Sequence, residues 1–424
     1  MSEQRNGEGL LSGYRVLDLA DEKGLLCGRM LAGWGADVIK VERPGGDPAR
    51  NIGPFYKDIP HPERSLFWFA LNADKRGITL DIETADGRDI FRRLVKTADF
   101  VVESFAPGYM EGLGLGYREL EKINPGIILT SITPFGQSGP YAQFKATDMT
   151  VWALGGMMYL SGDPDRPPVQ LSVPQAYFHG GIHGALGSMV ALYYRELTGE
   201  GQQVDVSAHE AVDFANMVED EGYDLLKVSL ARPGPFWGLA RPGQLGILYE
   251  RVNFECKDGY VNVFVKGGGA GYKTSARAVT QWMKEEGKAG YLETYDWDTY
   301  DFGKLTLEER QRLEAPLVPF FKTKTKREIM ARAAREGIFA APLDSVKDLM
   351  EGPQLNARDY WVKVEHPELG DTILYPGAPV KAAVLPWRTQ RRAPLIGEHN
   401  DEVYRRELGL SPELLVALKS RGVI

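Results

Sequence analysis

The amino-acid sequence predicts an α/β protein built on a mostly parallel sheet covered by helices, and two observations carry that reading. From Tyr14 to Thr133, short apolar runs with β-branched residues alternate with stretches of helical periodicity, the pattern of strand, crossover helix and parallel strand. Farther on, Gly180, Gly184 and Gly187, followed by Ala191, fall at helical spacing. One face of a helix from about Phe178 to Glu196 is therefore almost bare backbone, and something packs very close to it. Ile182, Leu186, Met189, Val190 and Tyr193 supply an apolar stripe on the opposite side, and TGEGQQVDV then reads as helix stop, turn and short strand.

In order along the chain, YRVLDLA is a strand, Leu25 to Trp34 a helix, and ADVIKVE a second strand. GITLDI, a helix over Gly87 to Thr97, ADFVVESF, a helix around Tyr117 to Ile123 and GIILTSIT continue the alternation. Sheets of this kind bind ligands in crevices at the carboxyl ends of their strands. The loops there are RPGGDPAR, where Arg43 and Arg50 offer guanidinium forks to phosphates, DKR, with Lys75 and Arg76 in a turn, and APGYMEGLGLGY. Three loops on one edge, two of them cationic, suit a nucleotide-phosphate ligand.

Val206 to Ser229 reads as one long helical pattern, and LARPGPFWGLARPGQLG as a Pro/Gly-rich boundary. Two strands flank the Lys257-Asp258-Gly259 turn as a hairpin. GGGAG at Gly267 to Gly271 lacks the spacing of a phosphate-binding loop and reads as a flexible turn before a helix over Tyr272 to Gly287. Trp297 to Thr325 gives two helices separated by a proline, Lys326 to Glu336 another, HPELGDTILYPGAPVKA a hairpin-like return, and the C-terminus closes with helices.

The chain has 424 residues, 43% hydrophobic and 25% charged, with a net charge of −8. That composition disfavours broad nucleic-acid binding. MSEQRNGEG has no signal-peptide core and no run is long enough to span a membrane, so the expected location is cytoplasmic. Cys27 and Cys256 are too few and too far apart for a disulfide framework or a zinc site and read as buried apolar residues. His179 and His183 imitate a metal pair at i and i+4, but no HExxH glutamate lies between them. No metal is expected; His179 reads as a pocket group and His183 as core or interface.

PPV, the small-residue helix and ALYYRELTGEGQQVDVS resemble the family III CoA-transferases. So do GADVIKVERPGGDPAR, NADKRGITLD, VVESFAPGYMEGLGLGY, INPGIILTSITPFGQSGPYA and RAPLIGEHNDEV, six signatures in order over nearly the whole chain. The resemblance implies a Rossmann-like large domain with a parallel sheet, made from both chain ends, plus a small α+β domain, in an interlocked-ring dimer. It places the first part of the large domain at 10–197, a linker at 198–241, the small domain at 242–345, a second linker at 346–395 and the return to the large domain at 396–424. It implies that Arg43, Lys75, Ser104, Phe105 and Lys145 line the path of the CoA nucleotide and pantetheine. Coenzyme A and acyl-CoA are then substrates, with no permanently bound cofactor.

The resemblance fails at the position that matters most. The family's catalytic aspartate sits just before the glycine-faced helix, and counting back from Ala191-Leu192 without a gap lands on Tyr177. Catching an acyl group as an anhydride suits an ionised carboxyl with a reference pKa of about 4; a phenol, at about 10, is mostly protonated and its ester leaves poorly. Asp163, Asp165, Glu196 and Asp205 read as turn formers or surface charges and Asp148 as structural. The family's AGP turn reads ADEKGLLCG, an arginine position is Gly112, and the glycine-rich lid near Arg241 reads GLARPGQLG. The racemase branch, which needs a histidine where Thr147 stands, does not fit.

The resemblance thus implies a subunit lacking the catalytic aspartate, paired with an Asp-bearing paralogue. Its DEKG and tyrosine departures resemble the heteromeric benzylsuccinate branch, which uses succinyl-CoA as donor. Phe135, Trp152, Tyr159, Tyr177 and Phe178 are candidates to receive a benzyl group. Two alternatives stay open: a stand-alone acyl-CoA isomerase or lyase-type enzyme, and a non-catalytic CoA-binding regulatory protein.

Overall fold

Six strands form one parallel sheet in the order β3-β2-β1-β4-β5-β6: β1 (Arg15–Asp18), β2 (Asp37–Glu42), β3 (Arg76–Thr79), β4 (Phe100–Glu103), β5 (Ile128–Thr133) and β6 (Gln202–Ser207). The structure, a computed structural model, describes residues 9–230, 232–239, 248–384, 387 and 389–424. The expected alternation of strand and helix is present, with helices at Leu25–Gly33, Ala85–Val95 and Tyr117–Ile123. β1 shows why the sheet is buried on both sides. Val16 joins a cluster with Cys27, Leu31, Ala185 and Leu192, while its neighbour Leu17 points the other way into a cluster with Ile90, Phe91, Leu94 and Tyr404.

The glycine-faced helix runs over Ala176–Thr198, and the close approach read from its glycines is present. A Cβ on Gly184 would stand 2.6 Å from Ile132 Cδ1 of β5, one on Gly181 2.9 Å from Leu26 Cβ, and one on Gly187 2.7 Å from Val204 Cγ1 of β6. The apolar stripe opposite is a different matter. Of that stripe Met189 packs against the core, but Ile182, Leu186, Val190 and Tyr193, with Leu197 beyond them, are exposed on this chain, because the bare face is the one the sheet takes.

Contacts divide the described chain into two compact units. The first comprises residues up to Met157, Leu171–Ala215 and Pro353–Ile424; the second comprises Met158–Gln170 and Asn216–Gly352. Within the first unit the C-terminal stretch closes on β3. His399 Nδ1 accepts from Gly77 N at 3.1 Å, Tyr404 donates to Thr79 O at 2.6 Å, and Arg76 pairs with Glu402 and Glu407. The expected return hairpin is present, with Trp361–His366 paired antiparallel to Asp371–Pro376.

In that unit β7 (Phe236–Leu239) pairs with β8 (Leu248–Arg251), and β9 (Asn253–Cys256), β10 (Gly259–Val263) and β11 (Ala340–Leu343) form an antiparallel sheet in the order β11-β10-β9. Helices at Ala270–Glu285, Leu307–Glu314, Leu317–Phe321 and Lys326–Glu336 pack Trp282, Phe320, Phe321 and Ile329 against Phe254 and Val261.

The single long helix expected over Val206 to Ser229 is broken. Ser207 ends β6 and caps a short helix, Ala208–Asp213, through its hydroxyl and Glu210 N at 3.2 Å. A tight turn follows, and Asn216 at φ −97°, ψ 2° leaves α geometry before Met217–Leu226. Among the described residues no helix is long and apolar enough to cross a membrane.

Candidate functional site at the switch point of the sheet

The strand order reverses between β1 and β4, so the loops after these strands part and leave a crevice. Two side chains tie its floor. Ser104, 2% exposed at the end of β4, accepts from Asp21 N at 2.9 Å and donates to Asp21 Oδ1 at 2.7 Å. Asp21 also holds Lys23 in an ion pair. Glu103, just before Ser104, accepts from Phe105 N at 2.7 Å. Burial pushes its carboxyl up to about 7, against the opposing pull of Ser131 and the Phe105 amide.

Tyr177 enters this crevice from the first turn of the 176–198 helix. Asp148 holds that turn: its carboxylate accepts from Tyr177 N at 2.9 Å and from Gln175 N at 3.2 Å. Such a contact satisfies open donors of a helix start that has no side-chain cap from its own N-cap residue. The Tyr177 hydroxyl is spent on Ala146 O at 3.1 Å. Burial raises its pKa above the ordinary phenol value, and Glu22, Asp21 and Asp148 add repulsion in that order. The phenol is thus a neutral hydrogen-bond donor. Glu22 is the acid that sequence reasoning passed over. It sits half-buried after β1, its carboxyl raised by burial and by Asp21. The one signal for it was its place in ADEKG at the carboxyl end of the first strand.

The residues expected along a CoA path fall into two groups. Arg43 and Phe105 share Tyr109 as a neighbour: Arg43 Nη2 donates to Tyr109 Oη at 3.0 Å and pairs with Glu83 at 2.5 Å, and the Phe105 ring lies tilted against Tyr109 at 4.5 Å. Arg43 keeps more than half of its side chain in solvent. Lys145 is exposed on a loop that Gln143 ties to Pro107 O at 3.2 Å. Lys75 and Ser104 lie beneath. Lys75, wholly buried, bonds Asp18 Oδ2 at 2.7 Å, Asn72 Oδ1 at 2.9 Å and Leu25 O at 3.0 Å, and burial pulls its ammonium down to about 8. Its three bonds tie the end of β1, the end of the helix Leu66–Asn72 and the start of the 25–33 helix together.

Arg50 does not offer a fork to phosphate. Its guanidinium is 0% exposed and bidentate on Glu42, at 2.6 and 2.8 Å, with two further bonds to Glu63 at 2.7 Å and Pro394 O at 2.9 Å. Arg76 belongs to β3, not to a turn, and spends its forks on Asp37 and Glu407. Of the aromatic set, Phe135 packs edge-on to Tyr141 and His209, Trp152 lies 6.1 Å from His179, and Tyr159 is half exposed.

Burial lowers the pKa of His179, and His183 Nδ1 bonds His179 O at 2.9 Å. No cluster of metal-ligating side chains occurs among the described residues. Cys27 and Cys256 are buried thiols, Cys27 pushed up to about 12 by burial. The lid expected near Arg241 lies outside the described residues.

Comparison with known proteins bears on this arrangement. Residues 11–400 match the description CoA-transferase family III. The chain is 35% identical over 396 residues, 92% of its length and 93% of the relative's, to the succinyl-CoA:(R)-benzylsuccinate CoA-transferase subunit BbsE of Thauera aromatica. It is 32% identical over 434 residues to a formyl-CoA:oxalate CoA-transferase of Streptomyces coelicolor, covering 98% of this chain and 99% of that one. Among solved structures, a CAIB/BAIF family protein from Brucella suis superposes with a TM-score of 0.79 at 30% identity, over 95% of this chain and all of that one. The parallel sheet, the crevice at its switch point and the full-length match have one reading: the chain belongs to CoA-transferase family III.

Proposed function

We propose that the chain is a subunit of a CoA-transferase that moves CoA from a donor such as succinyl-CoA to a carboxylic acid such as benzylsuccinate, and that it lacks the acyl-accepting carboxyl itself. The observation that carries this reading is Tyr177. It stands at the first turn over the switch-point crevice, buried, with its phenol pKa raised and its proton held on Ala146 O. Attack on a thioester needs an ionised nucleophile, and an anhydride needs a good leaving group. A phenol held neutral supplies neither.

The missing acid then comes from an Asp-bearing paralogue in a hetero-oligomer. Two features support a partner. The helix face of Ile182, Leu186, Val190, Tyr193 and Leu197 is apolar and uncovered on this chain, the kind of surface that a partner subunit covers. The relative BbsE is named as a subunit. Arg43, Phe105 and Tyr109 form the shelf for the CoA nucleotide, with Lys145 on the tethered loop beside it; Lys75 and Ser104 hold the backbone beneath.

Purifying the chain alone and mixed with an Asp-bearing paralogue, then assaying CoA exchange and trapping acyl-enzyme with hydroxylamine, tests the proposal. Activity is expected in the mixture only, with the trapped label on the partner. Transfer by the isolated chain at the mixture's rate would overturn it. Tyr177→Phe, which removes a hydroxyl with no covalent role, is expected to leave the mixture within about threefold of its rate. One observation favours a second reading, a stand-alone acyl-CoA enzyme: Glu22 places a half-buried carboxyl close enough to raise the Tyr177 phenol. Activity of the isolated chain that Glu22→Gln abolishes would select that reading.

A further inference from the structure

β4 ends on a buried carboxyl that the proposed transfer does not use. Glu103 is 4% exposed and stands directly across from Ser131 of β5 in the sheet register. Ser131 accepts from Gln203 Nε2 at 3.2 Å and gives its own hydroxyl to Glu103. From the other side the Phe105 amide donates to Glu103 Oε2 at 2.7 Å. An ionised carboxyl only accepts hydrogen bonds, so two donors converging on it suit the charged form. Burial opposes that form. Near neutrality the ionised group therefore costs the fold stability, and what it supplies instead is the bond to Phe105.

That bond decides where the chain goes after the strand. Ser104 is tied to Asp21 in the loop after β1. The Phe105 amide lies beyond the last β4–β5 pair, Glu103 with Ser131, and is held by the side chain two residues back. The Phe105 ring rests against Tyr109 at 4.5 Å, at the start of the short helix Tyr109–Gly112, and Tyr109 Oη accepts from Arg43 at 3.0 Å. Glu103, Phe105, Tyr109 and Arg43 thus form one chain of contacts from the buried end of β4 to the surface.

We propose that Glu103 is a positioning residue for CoA binding: its carboxylate fixes the Phe105 backbone, and with it the shelf of Phe105, Tyr109 and Arg43, and its protonation loosens them. The proposal rests on the assignment of that shelf to the CoA nucleotide and not on the role of Tyr177. A hydrogen bond to a carboxylate is roughly twice as strong as one to a neutral acceptor, and affinity scales with the fraction of molecules in which the binding loop is set. The charged groups that face Glu103 oppose one another. Lys23, from the loop after β1, favours the carboxylate, Glu111, from the Tyr109–Gly112 helix, disfavours it, and β5 presents the neutral Ser131. With burial the largest influence, the carboxyl is carried up to about 7, so its charge changes near neutrality.

The test is calorimetric titration of the full chain with CoA from about pH 5.5 to about pH 8.5, on the native chain and on Glu103→Gln, which keeps a neutral acceptor for Phe105 N. The 3′-phosphate of CoA titrates in the same range, near pH 6, and the ratio of variant to native Kd cancels its contribution. That ratio is expected to be near 1 at the acid end and about fivefold at the alkaline end. In the native chain carrying isotope-labelled phenylalanine, the Phe105 amide proton, identified by its loss in Phe105→Tyr, should move downfield with a midpoint near 7. Should Glu103→Gln fail to fold, 3′-dephospho-CoA, which lacks the titrating phosphate, gives the native profile directly, and a flat profile overturns the proposal. CoA binding with a ratio that does not change with pH, or a Phe105 amide that does not titrate, overturns the proposal and leaves the shelf in place. No CoA binding to the folded native chain up to about 1 mM overturns the shelf and the proposal together.

Discussion

Glu103 and Arg50 show how burial decides what a charged side chain does. Glu103 ends β4 with its carboxyl pushed up to about 7. Between the ordinary value near 4.5 and 7 the folded chain therefore holds a proton that the unfolded chain has released. Stability from this group is present below about 4.5 and falls as pH rises to 7, by about 3 kcal/mol at most. Glu103→Gln keeps an acceptor for Phe105 N and removes the charge. The unfolding free energy from urea titration should rise at pH 8, by about 1–3 kcal/mol, and change little at pH 4.5; an equal shift at both would refute the assignment. Arg50 and Glu42 are a fully buried pair, bidentate and under the Trp68 ring at 3.9 Å. Removing one partner strands the other, so Glu42→Ala should destabilise by about 3–5 kcal/mol, with Glu42→Leu/Arg50→Met recovering much of the loss. Sequence flagged Arg50 as a phosphate ligand because a Pro-Gly-Gly loop with arginines looks the same whether its cations face solvent or Glu42.

At the level of the element, the 176–198 helix was the most legible part of the chain. Glycine at Gly180, Gly184 and Gly187 has one physical meaning on a helix, a neighbour too close for a side chain, and the neighbours are Ile132, Ala208 and Val204. Gly184→Val would drive its side chain into Ile132 and is expected to cost about 1–3 kcal/mol, read from the denaturation midpoint. An unchanged midpoint would mean that the helix can lift off β5. Local periodicity was less informative over 206–229, where apolar spacing continues through Phe214 to Asn216 but the backbone does not. It was silent on Asp148, since a carboxylate that accepts from the first turn of a helix 27 residues later in sequence leaves no local pattern.

For the whole molecule, the exposed stripe on that helix ties the fold to the proposed assembly. Tyr193 and Leu197 are each 69% exposed, and Tyr193→Glu with Leu197→Glu should leave the thermal stability of the isolated chain within about 0.5 kcal/mol. Association with the paralogue, measured by light scattering on a sizing column, should fall at least tenfold; undiminished association would remove the face from the interface. The sequence by itself determined the layered α/β architecture and the family, because periodicity, glycine spacing and motif order are written locally along the chain. Tertiary structure alone decided which partner each cation takes. It put Arg50 on Glu42 and Lys75 on Asp18, paired Arg43 with Glu83 at the surface, and set Glu22 near enough to act on Tyr177. Burial and partner charge are set by segments far apart in sequence, and only folding brings them within range of one another.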